Sequence, residues 1–436
     1  MGGLWRVSGA GGEPELLTTP DEENGELDWH SPRFLPGGEE VLFTLHDQNR
    51  EFHIEIFSLA TRERTVLIEG AFDGRYVPTG HIVYGRENSV LAVPFDLARL
   101  EITGPSVLML QNVYNSAING AAAFSVGGDG TLVYVPAPSL NGRALVWVSR
   151  DGSEEPLSLE PQAFSDPRLS PRGDRIAVAV TDGDNQDIWV YDLNSDSRRR
   201  VTFEGRNLRP VWSPDGTRVA FGSNRAGKSD IYSKSADGGG TAELLLRSGL
   251  WTLPDSWAAN GDTLTFTEEE ATEASRIDML RVREGGSLQT VLEPGARGAQ
   301  FSPDGRFIAY QVSGEIQVRP FPQMDESRWQ LSTDGGSEPI WGRDGRELFY
   351  RRGNAIIAVP IVTEPTFQFG APRELFRRAI ASQLYFDGTD RGAPFDVAPD
   401  GRFLIVTESE DELAVRPFYV VENWFEELKA RVPTGQ

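Results

Sequence analysis

The sequence predicts an all-β chain folded as a single large β-propeller of four-stranded blades over residues 1–436. Three observations predict it: a short turn motif that returns at a nearly regular interval, strand-like apolar runs around each turn, and Gly and Pro scattered as turn punctuation. The motif is a bulky apolar residue, a turn ending in Gly, then an apolar strand. Trp212-Ser213-Pro214-Asp215-Gly216 leading into Val219-Ala220-Phe221 shows it in full. Phe301-Ser302-Pro303-Asp304-Gly305 and Leu169-Ser170-Pro171-Arg172-Gly173 repeat it, and looser copies centre on Gly38, Gly80, Gly130, Gly261, Gly345 and Gly401. Pro presets φ at the second turn position, Asp or Asn tolerates the tight bend, and Gly takes a backbone geometry that side chains resist. Successive copies lie 40–56 residues apart, about 45 on average, which is the interval of propeller blades.

Each interval holds four strands. In the copy at Gly216 they are expected at 209–213, 218–222, 231–234 and 242–246, with Gly, Asn and Asp turns between them. Four residues before each Gly stand Phe34, Tyr76, Val126, Leu169, Trp212, Trp257, Phe301, Trp341 and Val397, one apolar wedge per copy between adjacent sheets. Two residues further back, Pro recurs as Pro32, Pro167, Pro210 and Pro339. Lacking an N–H, Pro suits an edge strand such as the innermost strand on a channel, and it suits a loop before a strand equally well.

Nine copies predict nine blades. Eight is the alternative, because the copies at Gly38 and Gly80 are the weakest, and two smaller propellers is a third, with no linker-like stretch to separate them. At the N-terminus, Leu4–Val7 and Glu15–Thr18 resemble outer strands without an inner pair, whereas 395–406 supplies an inner pair. Joining the two ends in one sheet closes the ring and leaves no open edge. A further strand at 413–422 competes for that place. Asn423 with Glu426 reads as a helix cap, and Pro433 ends a short helix at 423–432 that rests on the last blade through Phe425 and Leu428.

The charge balance, 42 basic against 65 acidic residues for a net −23, repels phosphate backbones and anionic membranes and so excludes a general nucleic-acid binder. Cys is absent, which removes disulfides, thiol nucleophiles and Cys-based zinc sites. No apolar run is long enough for a membrane span, so no membrane insertion is expected, and a monomer is. The opening residues lack the basic and apolar segments of a signal peptide, so the chain is expected to be cytosolic or an excised or mature piece of a longer protein.

Motifs for chemistry are sparse. Gly222-Ser223-Asn224-Arg225-Ala226-Gly227-Lys228-Ser229 matches the phosphate-binding pattern G-x-x-x-x-G-K-S, but that motif needs a following helix, and Asp230-Ile231-Tyr232 continues as a strand. His30, His46, His53 and His81 show no metal-ligand spacing and read as surface or turn residues. Asp182-Gly183-Asp184-Asn185-Gln186-Asp187 is oxygen-rich, yet it lacks the distal Glu of a calcium loop and reads as a hairpin turn. There is no G-x-S-x-G elbow. No catalytic, cofactor-binding or metal-ligating residue is therefore assigned.

Geometry supplies the candidate site, because a propeller's concavity is its channel mouth and ligand sites favour concave places with convergent polar groups. Seven residues before the Gly stand Asp73, Asp166, Arg209 and Glu338, and two residues later Arg33, Arg75 and Arg168. Asp73, Arg75, Asp166, Arg168, Arg209 and Glu338 are the candidate binding residues. The competing reading is that such charges form salt bridges between neighbouring blades.

The Ser-Pro-Asp-Gly turns, Ser223-Asn224-Arg225 with Asp230-Ile231-Tyr232, and Asp187-Ile188-Trp189 make the chain resemble the TolB-type propeller family, which is related in pattern to WD-repeat proteins. The stretches at 75–84, 91–96 and 341–350 further resemble the propeller region that follows the kinase domain of some bacterial receptor-type Ser/Thr kinases. The resemblance implies an extracytoplasmic or periplasmic sensor module and transfers no ligand residues. The expected function is a non-enzymatic scaffold that binds a protein, peptide or small molecule, within a bacterial signalling protein. The alternatives are a hydrolase or lyase with its site in the channel, and the gating propeller of a peptidase.

Overall fold

A computed structural model describes residues 3–47, 51–116, 120–137, 139–183, 185–195, 197–269, 275–282, 287–290, 292, 294–381, 392–408 and 417–434. The described chain is all-β except for a one-turn 3-10 helix and a short C-terminal α-helix. Each of the nine repeat glycines lies between the first and second strands of its own antiparallel sheet, with φ between +68° and +85°. Only Gly takes this left-handed geometry without strain, which is why the motif ends on it. In the sheet at Gly216, Asn207–Trp212, Arg218–Ser223, Asp230–Ser235 and Glu243–Leu246 pair in chain order, as the spacing predicts.

The sheets divide between two compact units. One comprises Met1–Pro138, Leu384–Thr389 and Ala414–Gln436 and carries the sheets at Gly38, Gly80 and Gly130. The other comprises Ser139–Gln383 and Asp390–Leu413 and carries the remaining six. In this second unit the first strands, Ala163–Leu169, Asn207–Trp212, Trp251–Trp257, Arg297–Phe301, Ser337–Trp341 and Phe395–Val397, each contact the next, and the last contacts the first.

That cycle is joined differently from the expectation. Phe395–Val397 and Phe403–Val406 are completed by Leu145–Val148 and Glu154–Pro156, not by the N-terminal strands. The reason is burial. Leu145, Val146 and Val148 are all buried, whereas the strand Leu4–Arg6 and the residue after it leave Trp5 60% and Val7 56% exposed. The N-terminal segments pair with each other, Leu4–Arg6 with Glu15–Thr18, and Leu4 packs among Val41, Phe43, Leu45 and Phe57 of the first sheet. Of the strand read at 413–422, the described part, Tyr419–Val421, pairs with Leu132–Tyr134 in the first unit, and 413–416 lie outside the described residues.

The helix spans Trp424–Arg431, but it neither caps nor docks as the sequence suggests. Asn423 is in left-handed geometry and its side chain makes no capping bond. Trp424 and Leu428 pack, with Phe425 beside them, on Val77, Val83 and Val90 of the sheet at Gly80 and Phe124 and Leu132 of the sheet at Gly130, not on the last sheet. His81, fully buried, holds the helix end: its Nε2 donates to the Val432 carbonyl at 2.6 Å while Nδ1 accepts from the Thr79 hydroxyl at 2.8 Å.

The first strand of most sheets carries a bulge at the same place. Ser31, Asp73, Asp166, Arg209, Gly298 and Glu338 have φ between +50° and +65°, and the pairing register shifts across each. Pro32, Pro167, Pro210 and Pro339 each follow such a residue, where the bulge frees the backbone from the ladder and no N–H is needed. Two of the apolar wedges are tied to the preceding sheet's first strand: Trp212 Nε1 donates to the Arg168 carbonyl at 2.9 Å and Trp341 Nε1 to that of Gln300 at 3.0 Å. Trp257 Nε1 is buried and makes no hydrogen bond among the described residues, and Phe34 is 61% exposed.

Candidate functional site

The bulges place charged side chains where the first strands meet. Asp73 and Arg75 belong to the first unit and Asp166, Arg168, Arg209 and Glu338 to the second, so the candidate residues form two separate groups. In the first unit Asp73 is buried and saturated. Its carboxylate accepts from Arg75 at 2.8 Å, from Arg33 at 3.3 Å and from the Ala122 amide at 3.1 Å. Arg75 also lies 4.3 Å over the Phe124 ring. This is the bridging role between neighbouring sheets.

In the second unit the charges surround a depression of about 240 Å³ lined by residues of four sheets and by Gly392, among them Arg209, Glu269, Arg297, Ser337, Glu338 and Arg351. Arg351 makes a two-pronged pair with Glu338, both bonds 2.8 Å. Arg209 Nη1 lies 3.1 Å from Asp255 Oδ1, within ion-pair distance but out of line for a hydrogen bond, while Asp255 Oδ2 accepts from the Thr267 hydroxyl at 2.7 Å. Burial pushes the Asp255 carboxyl up, against the pull of Arg209, Thr267 and Arg168. Asp166 is fully buried. Arg168 donates to the Ala393 carbonyl at 3.0 Å, tying its sheet to the segment before Phe395. Nearby, Asp396 accepts from the Leu169 amide at 2.7 Å and from Arg343 at 3.2 Å. Of the six candidates, the structure brings Arg209 and Glu338 to one depression and uses Arg168 beside it as a tie. Asp255, Arg297 and Arg351 were missed, since they stand outside the seven-before-Gly position. Asp255 follows Pro254 of its own first strand, and that offset was the available signal.

The other motifs resolve as structure. Gly222–Ser229 turns between Arg218–Ser223 and Asp230–Ser235, with the Ser229 hydroxyl on the Thr252 carbonyl at 2.9 Å. A Cβ on Gly222 would meet the Leu253 side chain at 2.7 Å, so a larger residue here displaces that side chain. The oxygen-rich hexapeptide turns between Arg175–Asp182 and Asn185–Asp192. Its Asp184 lies outside the described residues. Asp187 is buried and accepts from Arg200 at 2.5 Å, Thr202 at 2.8 Å and Asn207 at 3.2 Å. No described helix is long and apolar enough to cross a membrane.

Two groupings of side chains were not read from the sequence: Asp28 with His30 and His46, and Asp47 with Glu51 and His53. The histidines are far apart or unhelpfully spaced along the chain, and only strand pairing gathers them. The signal was Asp28-Trp29-His30, two residues of one strand face, with His46 on the partner strand.

Residues 152–344, under half of the chain, match the TolB beta propeller domain family. The chain is 32% identical over 148 residues to an uncharacterised Agrobacterium fabrum protein, Atu1656, covering 31% of this chain and 48% of that one. It is 24% identical over 196 residues to the uncharacterised peptidase YuxL of Bacillus subtilis, covering 43% of this chain and 29% of that one. The chain thus spans half or less of these curated relatives. The crystal structure of TolB from Acinetobacter baumannii superposes with a TM-score of 0.43 at 18% identity, over 74% of this chain and 76% of that chain.

Proposed function

We propose that the chain is a non-enzymatic binding scaffold, that its second unit is a six-bladed propeller of the TolB type, and that the charged depression takes a polar peptide segment or small ligand. The observation that supports this reading is the recurring bulge. Left-handed geometry at Arg209 and Glu338 costs on the order of 1–3 kcal/mol each, and such strain collects where side chains must be aimed. Rigid sheets then hold guanidinium and carboxylate groups around one concavity, an arrangement suited to a ligand carrying both signs of charge. Service as the extracytoplasmic sensor of a bacterial signalling protein is part of the same proposal and rests on the resemblance at 75–84, 91–96 and 341–350.

The test is binding of a peptide array by the wild-type chain and by Arg297→Glu. Arg297 lines the depression and is exposed, so reversing its charge spares the fold. Peptides bound by the wild type are expected to lose roughly tenfold or more in affinity, because a bidentate partner becomes a like charge for acidic groups. Equal capture by both chains contradicts the reading.

A second reading, the gating propeller of a peptidase, is favoured by the likeness to YuxL. A hydrolase domain in the same reading frame as this chain decides for it, and a kinase domain there decides against it.

A further inference from the structure

The sheet at Gly38 gathers two imidazoles and a carboxylate on one face. Asp28 and His30 stand two residues apart on Glu26–Phe34 and so project from the same side of the strand. His46, on Glu40–Asp47, is the register partner of Asp28. Asp28 Oδ1 lies 3.1 Å from His46 Nδ1 and 3.0 Å from His30 Nε2, and the three donor atoms fall within 4.8 Å of one another. His30 Nε2 is buried and makes no hydrogen bond among the described residues, although Asp28 is near enough for an ion pair. A buried ring nitrogen without a partner is costly, and an ion at the centre of the triangle satisfies it.

We propose that Asp28, His30 and His46 bind a divalent transition ion of the zinc class. Two nitrogens and one carboxylate oxygen suit zinc or its neighbours, whereas calcium and magnesium take oxygen ligands. Zinc bonds of about 2.0–2.2 Å in tetrahedral array set donors about 3.3 Å apart, so the two edges to Asp28 need to open by only a few tenths of an ångström, and the edge between the imidazoles lies within 4.8 Å. The Asp28 side chain, 43% exposed, has the freedom to give that, and its open side leaves the fourth position to water. The His46 ring stacks on Phe52 at 4.5 Å, which fixes its orientation. Burial, opposed by the Asp28 carboxylate, holds the His46 imidazole below its ordinary range, and the neutral ring is the form that ligates.

The test is titration of the chelator-treated full chain with Zn²⁺ by calorimetry and with Co²⁺ by visible absorption. One equivalent is expected to bind, with Co²⁺ bands of a nitrogen- and oxygen-ligated centre. His30→Gln and His46→Gln are each expected to weaken binding at least about tenfold, the low end of the loss typical of residues that only support a ligand. Both variants should keep the far-UV spectrum of the metal-free wild type. His53→Ala, in the adjoining group with Asp47 and Glu51, is expected to bind as the wild type does. No binding by the wild type, binding unchanged in both Gln variants, or loss only in His53→Ala overturns the assignment.

Discussion

Asp215 shows how one turn residue contributes to the fold. The Ser213 hydroxyl donates to its carboxylate at 2.6 Å, and the Thr217 amide and hydroxyl donate at 2.9 and 2.8 Å. These bonds, that of Ser213 foremost, hold the Asp215 carboxyl below the usual carboxylate range. Thr131 and Ser153 act in the same way on Asp129 and Asp151. A carboxyl with a lower pKa folded than unfolded stabilises the fold above its unfolded value, near 4, and loses that contribution as pH falls through its folded value. Asp215→Asn removes the titration. The wild type is therefore expected to exceed the variant in urea midpoint at pH 7, with the gap closing toward pH 3. A gap that stays constant over that range counts against the assignment. At this scale the turn residues were legible, because Ser-Pro-Asp-Gly names its own hydrogen bonds. The left-handed geometry of Arg209 and Glu338 was not, since neither residue type favours it, and the Pro that follows each was ambiguous between an edge and a loop.

At the scale of elements, periodicity revealed the nine sheets but not their partners across the chain. A repeat reports what each 45-residue stretch does locally. The pairing of Leu145–Val148 with Phe403–Val406 is long-range and is selected by buried apolar area, which Leu4–Arg6 cannot match. The helix was misplaced for the same reason. Phe425 and Leu428 announced an apolar face, and nothing local said that Val83 and Phe124 would cover it. The closing sheet is open to a direct check. Thr407 N–H donates to the Ala144 carbonyl at 2.9 Å, which makes the adjoining pair Leu145 and Val406 the non-hydrogen-bonded kind, with Cα atoms about 4.5 Å apart. That lies inside disulfide reach. The chain has no Cys, so Leu145→Cys with Val406→Cys carries its only thiols. Mild oxidation is expected to give an intramolecular disulfide, seen as faster migration in non-reducing electrophoresis. A disulfide in Trp5→Cys with Val406→Cys in its place would restore the terminal closure.

For the whole molecule, one ring of nine was the natural reading of nine equal turns, because turn spacing carries no information on which first strands touch. The boundary between the units falls at Pro138 and Ser139. The stretch Pro136-Ala137-Pro138-Ser139-Leu140-Asn141-Gly142 there has the composition of a linker, which the reading of the chain as free of linkers missed because the repeat continues on both sides. Within the second unit every first strand finds a neighbour on each side, and among the described residues Leu145–Val148 joins the only sheet assembled from both ends of the unit. A body with its own closed set of contacts and its own apolar clusters has what independent folding requires. Residues 139–413 expressed alone are therefore expected to give a β-rich far-UV spectrum and a single cooperative urea transition. Ending the same fragment at residue 390 removes Phe395–Val406, which exposes the inner edge of Leu145–Val148 and takes away Phe403, leaving the Phe349 and Phe376 rings that pack against it uncovered. Burying no replacement for those contacts, the shorter piece is expected to lose the cooperative transition. If both pieces unfold alike, the second unit does not depend on the sheet assembled from its two ends.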